Sequence, residues 1–232
     1  MSRKKQADQN PFLPVSKADM EARGWDWYDF LIVNGDAYVD HPSFGGVVIA
    51  RTLEAEGYRV AFLPQPDWHS ADAFLAMGKP RLAVMLSSGN LDSMVAHYTA
   101  AKKRRRQDAY SPGYQTGLRP DRAVIVYANR VREAFSDTPL IIGGLEASLR
   151  RFAHYDYWSN QVRRAILFDA RADLLIYGMG EAATLEIAAQ LNAGVPVSDI
   201  TTVRGTSFAA REREACVYPW VEVPSYEEVK AD

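Results

Sequence analysis

Residues able to do polar chemistry gather first in the stretch NGDAYVDHPSFGG, positions 34–46. Asp36, Tyr38, Asp40 and His41 lie between an apolar run (FLIV, 30–33) and an amphipathic one (47–57). Two carboxylates, a phenol and an imidazole at a strand-to-helix junction suit a ligand or a facing domain, because open α/β sheets collect ligands there. The same residues also suit loop architecture, with Asp36 accepting backbone amides and Pro42, Gly45 and Gly46 making a tight turn. Glycines at a helix start let an anion or a flat ligand approach exposed N–H groups. No Gly-Lys-Ser/Thr follows, so the stretch is not a P-loop, and it is not a dinucleotide fingerprint.

Three later turns carry comparable groups. Ser87, Ser88 and Asn90 (SSGN) offer two hydroxyls and an amide, which fit a cofactor tail and also fit an ordinary turn. Gly143 and Gly144 remove side chains where a ligand could pass, or permit positive φ. Gly178, Gly180 and Glu181 (GMGE) read the same way, and Glu181 also complements a helix dipole. The string GGLEASLRRFAHYDYW, 143–158, holds Glu146, Arg150, Arg151, His154, Tyr155, Asp156, Tyr157 and Trp158. Read as a helix, it pairs Glu146 with Arg150 at i,i+4. So many aromatics beside a histidine and an aspartate exceed what a surface helix needs. They pack on another domain or face a substrate, although His154 alone also suits a structural role.

The elements that must position these turns alternate. Apolar strands are predicted at 30–33, 59–63, 82–86, 140–142 and 173–177. Helices are predicted at 44–56, 70–77, from about 91, and 182–191. VIVY (124–127) has strand-like residues, but Val124, Tyr127, Val131 and Phe135 recur at helical spacing, which predicts a helix capped by Asp121. Ser16 and Asp19 form a capping box before a short helix that Gly24 closes, and Ser225 and Glu228 form another. Short apolar strands joined by helices imply an α/β fold. We expect a five-stranded parallel sheet in the flavodoxin-like order 2-1-3-4-5, with helices on both faces. That order brings the four polar turns to one edge. The expected division is an N-terminal extension with a short helix (1–24), the flavodoxin-like domain (25–194) and an extended C-terminal appendage or linker (195–232). The last capping box has little chain after it, which predicts that the sequence continues into a further domain.

Composition sets the outer limits. Hydrophobic residues are 47% of the 232, and the formal net charge is −2. Such near-neutrality gives no global bias towards nucleic acid or membrane. The basic run Lys102–Arg106 still attracts phosphates, so RNA is a possible partner, against its reading as a solvated loop. No apolar stretch reaches the roughly 20 residues of a membrane span, and no signal peptide is apparent, so the expected location is cytoplasmic. The single cysteine, Cys216, excludes an internal disulfide and any all-cysteine metal site, and it reads as inert.

GDAYVDHPSFG, GKPRLAVMLSSGNLDSM, RPDRA, GGLEASLRRFAHYDYW and PSYEEV together resemble the amino-terminal region of the YgiQ-type radical SAM proteins, from about Trp25 to the end. The resemblance implies a cobalamin-binding-like domain preceding a radical SAM barrel. That barrel would carry C-x-x-x-C-x-x-C, hold a [4Fe–4S] cluster and S-adenosylmethionine, and cleave the latter reductively to a 5′-deoxyadenosyl radical. This chain lacks the motif, so it is expected to bind no cluster and to be inactive alone, with the barrel as its intramolecular partner. Cobalt-ligating cobalamin domains use D-x-H-x-x-G, and here Tyr38 stands at the histidine position while His41 comes three residues later. Cobalamin binding by this edge is therefore one alternative, and a nucleotide site is another. The substrate is not encoded in any residue read here.

Overall fold

The computed structural model describes residues 12–211 and 221–231. Strand β1, Phe30–Asn34, has every residue buried, with no polar alternation. A strand of that kind has to be covered on both faces. Helix α1, Lys17–Ala22, precedes it, capped as expected: the Asp19 amide donates to Ser16 Oγ at 3.2 Å. Then follow α2 (Gly45–Ala55), β2 (Val60–Pro64), α3 (Asp72–Leu75), β3 (Ala83–Ser87), α4 (Ser93–His97), α5 (Ala123–Ala134) and β4 (Leu140–Gly143). The chain continues through α6 (Gly144–Leu149), β5 (His154–Asp156), β6 (Gln161–Arg163), α7 (Ile166–Asp169), β7 (Leu174–Ile176), α8 (Glu181–Asn192), β8 (Thr206–Phe208) and α9 (Tyr226–Ala231).

The main sheet runs β2-β1-β3-β4-β7-β8. The five expected strands are its first five members, mutually parallel. β8 then pairs antiparallel with β7, so the sheet is six-stranded and mixed rather than five-stranded and parallel. The sixth strand is three half-buried residues without a long apolar run, too weak a pattern to read as a strand. Alternate strand residues feed two cores. Leu31, Val33, Val84, Leu86 and Ile142 pack with α5 residues such as Tyr127 and Val131. Phe30, Ile32, Met85, Ile141 and Ile176 pack with α2 and α8 residues such as Leu53 and Ile187.

Packing does not break at the boundaries expected at 24 and 194. Leu13 is fully buried in the second core and the Phe62 amide donates to Pro14 O at 2.8 Å. Ile200 and Val203 are buried in the same core before β8. The string 143–158 is not one helix. α6 ends at Leu149, and His154–Asp156 pairs with Gln161–Arg163 as an antiparallel hairpin. The C-terminal capping box is present, with the Glu228 amide donating to Ser225 Oγ at 3.2 Å and the Ser225 amide donating to Glu228 at 2.7 Å. Cys216 lies outside the described residues.

Candidate functional site

A cleft of about 350 Å³ opens at the carboxyl ends of β1, β3, β4 and β7. This is the crevice where parallel sheets place ligands. Its floor and walls are apolar, with Ile32, Ile49, Met85, Ile141 and Ile176. Its rim comes from the polar turns: Ser43, Gly45 and Gly46 from one, Ser87, Gly89 and Asn90 from the next, then Gly143 with Gly144, and Gly178 with Glu181. Topology thus joins turns from all four stretches, as the sequence suggested. Asn90 ties two of them, donating from Nδ2 to Ser43 O at 2.8 Å and accepting the Gly45 amide at 3.3 Å. Gly144 has φ +79°, and a β-carbon there would meet Ser87 Oγ at 2.5 Å, so only glycine keeps this approach open.

Several predicted site residues lie beneath the cleft rather than in it. Asp36 is buried, accepting Arg119 Nη1 at 2.7 Å and the Asn90 amide at 2.7 Å. Arg119 also donates to Ser88 O and, through Nη2, to both oxygens of Asp108 at 2.9 and 2.8 Å. Burial pushes the Asp36 carboxyl up to about 6, against the pull of the Asn90 amide and Arg119. Ser88 is buried with its hydroxyl donating to Leu91 O at 2.9 Å. Gly89 (φ +101°) packs so tightly that a β-carbon would fall 2.0 Å from Asp36 Oδ1.

Glu146 is also buried. Its Oε2 accepts the Ser93 amide at 2.8 Å and its Oε1 the Val124 amide at 3.0 Å, so one carboxylate caps α4 and α5 together. Burial, reinforced by the neighbouring Asp92 charge, raises its pKa. Arg150 does not pair with the Glu146 carboxylate but with Asp92, because α6 stops at Leu149 and its side chain turns towards the α4 cap. Asp121 does not cap α5 either. The cap position is Arg122, in left-handed conformation, while Asp121 meets His97 Nδ1 and the Tyr98 hydroxyl, each at 2.7 Å.

The remaining predicted residues spread around this centre. Tyr38 accepts the Leu13 amide at 2.9 Å and donates to Asp40 at 3.1 Å, and Asp40 pairs with Arg51. His41 is exposed, accepts the Ser43 amide at 3.1 Å and does not line the cleft. Arg151 stacks over Phe152 and Tyr177, at 4.8 and 5.0 Å. In the hairpin, His154 Nδ1 meets Phe152 O at 3.0 Å, the exposed Tyr155 bonds Asn160 at 2.5 Å, and Asp156 is buried against Arg122 and Ser159. Lys102 sits 4.5 Å over the Tyr157 ring and Arg104 5.9 Å over Tyr98, so part of the basic run lies on aromatics.

Sequence reasoning missed Arg119, Asp108, Asp92 and Thr184. The partners of Arg119 stand 83 and 11 residues away, and no local pattern marks such a pairing. Among the described residues, no group of three or more His, Cys, Asp or Glu side chains could hold a metal ion. No helix among them is long and apolar enough to cross a membrane.

The chain is similar over most of its length to several known proteins. A UPF0313 protein of Clostridium botulinum is 54% identical over 221 residues, covering 95% of this chain and 34% of the relative. One from Shewanella oneidensis is 57% identical over 202 residues, covering 87% and 26%. One from Pseudomonas aeruginosa is 54% identical over 215 residues, covering 93% and 28%. The chain thus spans about a third or less of the length of these curated relatives. Among solved structures, a cystathionine gamma-lyase from Lactobacillus plantarum complexed with L-serine overlaps 79% of this chain and 41% of its own, at 12% identity. Its TM-score of 0.32 is too low to carry an argument. Residues 12–232 match the radical SAM N-terminal family, and with these relatives the match shows that the chain belongs to that family.

Proposed function

We propose that this chain is the accessory domain of a radical SAM enzyme, a flavodoxin-like body extended by β8, whose strand-end face turns towards the remaining part of a longer protein. The observation that carries this reading is a set of exposed apolar side chains at the mouth of the cleft and on and just after α6. Met179, 86% exposed, and the exposed Leu145 both line the cleft, and Leu149 and Phe152 are exposed further along the chain. Leu145 and Leu149 stand four apart on α6 and so share one face. Exposed apolar side chains at one cleft and on one helix face suit an interaction surface. The relatives' greater length supplies an occupant, and α9, near the end of this chain, lies against β6.

The family implies a [4Fe–4S] cluster and S-adenosylmethionine in the complete protein, where they would supply reductive cleavage of the latter. The residues here do not fit the cluster, since one cysteine cannot provide three thiolates. Cobalamin ligated by His41 does not fit either, since that imidazole is turned to the Ser43 amide outside the cleft.

The test is made on the longer protein, reconstituted anaerobically with iron and sulfide and then reduced with S-adenosylmethionine. Formation of 5′-deoxyadenosine is the expected result, and absence of both cluster absorbance and that product overturns the assignment. Hydrogen exchange at 145–152 and 178–180 should slow in the longer protein relative to the 232-residue chain. Equal exchange in the two would remove the docking half of the proposal.

A further inference from the structure

The cleft has one feature that a docking surface alone leaves unexplained. Thr184 lines it at 1% exposure, and its Oγ1 has no hydrogen-bond partner among the described residues. A buried hydroxyl without a partner is unfavourable, and at a cleft a bound ligand is one way to complete it. One long helix, α8 at Glu181, also begins at this cleft without a side-chain cap, so its first-turn N–H groups are donors in need of acceptors. The start of α2 is already served, the Gly45 amide by Asn90 Oδ1 and the Val47 and Val48 amides by Phe44 O.

The turn into α8 adds a local signature. Gly178-Met179-Gly180-Glu181-Ala182-Ala183 has the spacing G-x-G-x-x-A, directly after β7 and opening a helix. That is the strand-turn-helix context in which this spacing binds a phosphate. Gly178 has φ +74°, as the first glycine of such a turn needs. A β-carbon on Gly180 would come within 3.0 Å of Ile176 Cγ2, and Ala183 is buried where the helix meets the sheet.

We propose that the cleft binds a mononucleotide, its ring against Ile49, Ile141 and Ile176, its phosphate at the first turn of α8, and the Thr184 hydroxyl bonded to its polar edge. A free phosphate would leave the apolar walls unused, and a purely apolar ligand would leave Thr184 and the start of α8 unsatisfied. The volume is at the small end for ligand clefts, which favours one nucleotide over two. Among the described residues, Glu181 is the sole charged one lining the cleft, so it limits rather than supplies the attraction for phosphate. The inference does not depend on what the longer protein catalyses.

Calorimetric titration of the 232-residue chain with adenosine, guanosine, uridine and flavin mononucleotides tests it, with the matching nucleosides and inorganic phosphate as separate arms. At least one mononucleotide should bind, and bind more tightly than either its nucleoside or phosphate. Thr184→Val should weaken that binding roughly three- to tenfold while raising the melting temperature of the ligand-free chain, because it removes an unsatisfied buried hydroxyl. Glu181→Gln should strengthen binding roughly two- to fivefold. No binding by any of the nucleotides to the folded chain overturns the proposal, as does binding that Thr184→Val leaves unchanged. A nucleoside that binds as tightly as its nucleotide overturns the phosphate assignment.

Discussion

At the ends of β1 and β3, two adjoining regions treat polar groups in opposite ways. Around Arg119, a fully buried guanidinium meets Asp36 and Asp108, and nearby Glu146 meets two helix starts. In the cleft above, the walls are apolar, Thr184 Oγ1 lacks a partner among the described residues and α8 begins without a side-chain cap. The residues that look most reactive in the sequence, Asp36 and Glu146, serve the scaffold. Apolar side chains, glycines and a few small polar groups make the cleft. A buried charge is costly unless paired, so a strongly polar residue type at a strand end is often committed to structure.

The comparison is broken most severely at Arg119. Arg119→Met leaves two buried carboxylates facing each other, and we expect a loss of roughly 3–5 kcal/mol in urea unfolding. Glu146→Ala should cost about 2–4 kcal/mol by stranding the Ser93 and Val124 amides, with Glu146→Gln recovering about half. A Gln variant as unstable as Ala would mean that charge, not acceptance, holds the two helices.

Asp36 makes a pH-dependent test. Its folded pKa of about 6 lies above the ordinary 3.8, so folding binds the proton more tightly. The associated stability is complete below 3.8 and is lost as pH rises through about 6. Wild type should therefore lose roughly 2–3 kcal/mol across that window relative to Asp36→Asn, read from melting curves at matched pH. Parallel pH profiles for the two proteins would contradict the assignment.

On the cleft side, Gly144→Ala should cost about 1–2 kcal/mol, from strain at positive φ and the encroachment on Ser87. It should also reduce nucleotide binding, which sharpens the distinction from the buried layer. The smallest effect belongs to the basic run. Lys103→Ala, on an exposed loop, should change stability by no more than about 0.5 kcal/mol in the same urea assay.

The amino-acid sequence by itself determined whatever acts over a few residues or one period. It set the apolar runs that become β1 to β4 and β7, the helical spacing of α5, and both serine capping boxes. Each of these is an interaction between neighbours, so its partners are written side by side. Tertiary structure decided the pairings across the chain: Arg119 with Asp36, Glu146 with α4 and α5, Arg150 with Asp92, and β8 with β7. It also decided that Thr184 faces a cleft and not a packed core. Burial and charge pairing depend on which distant segments the sheet order brings together, and no local spacing records that.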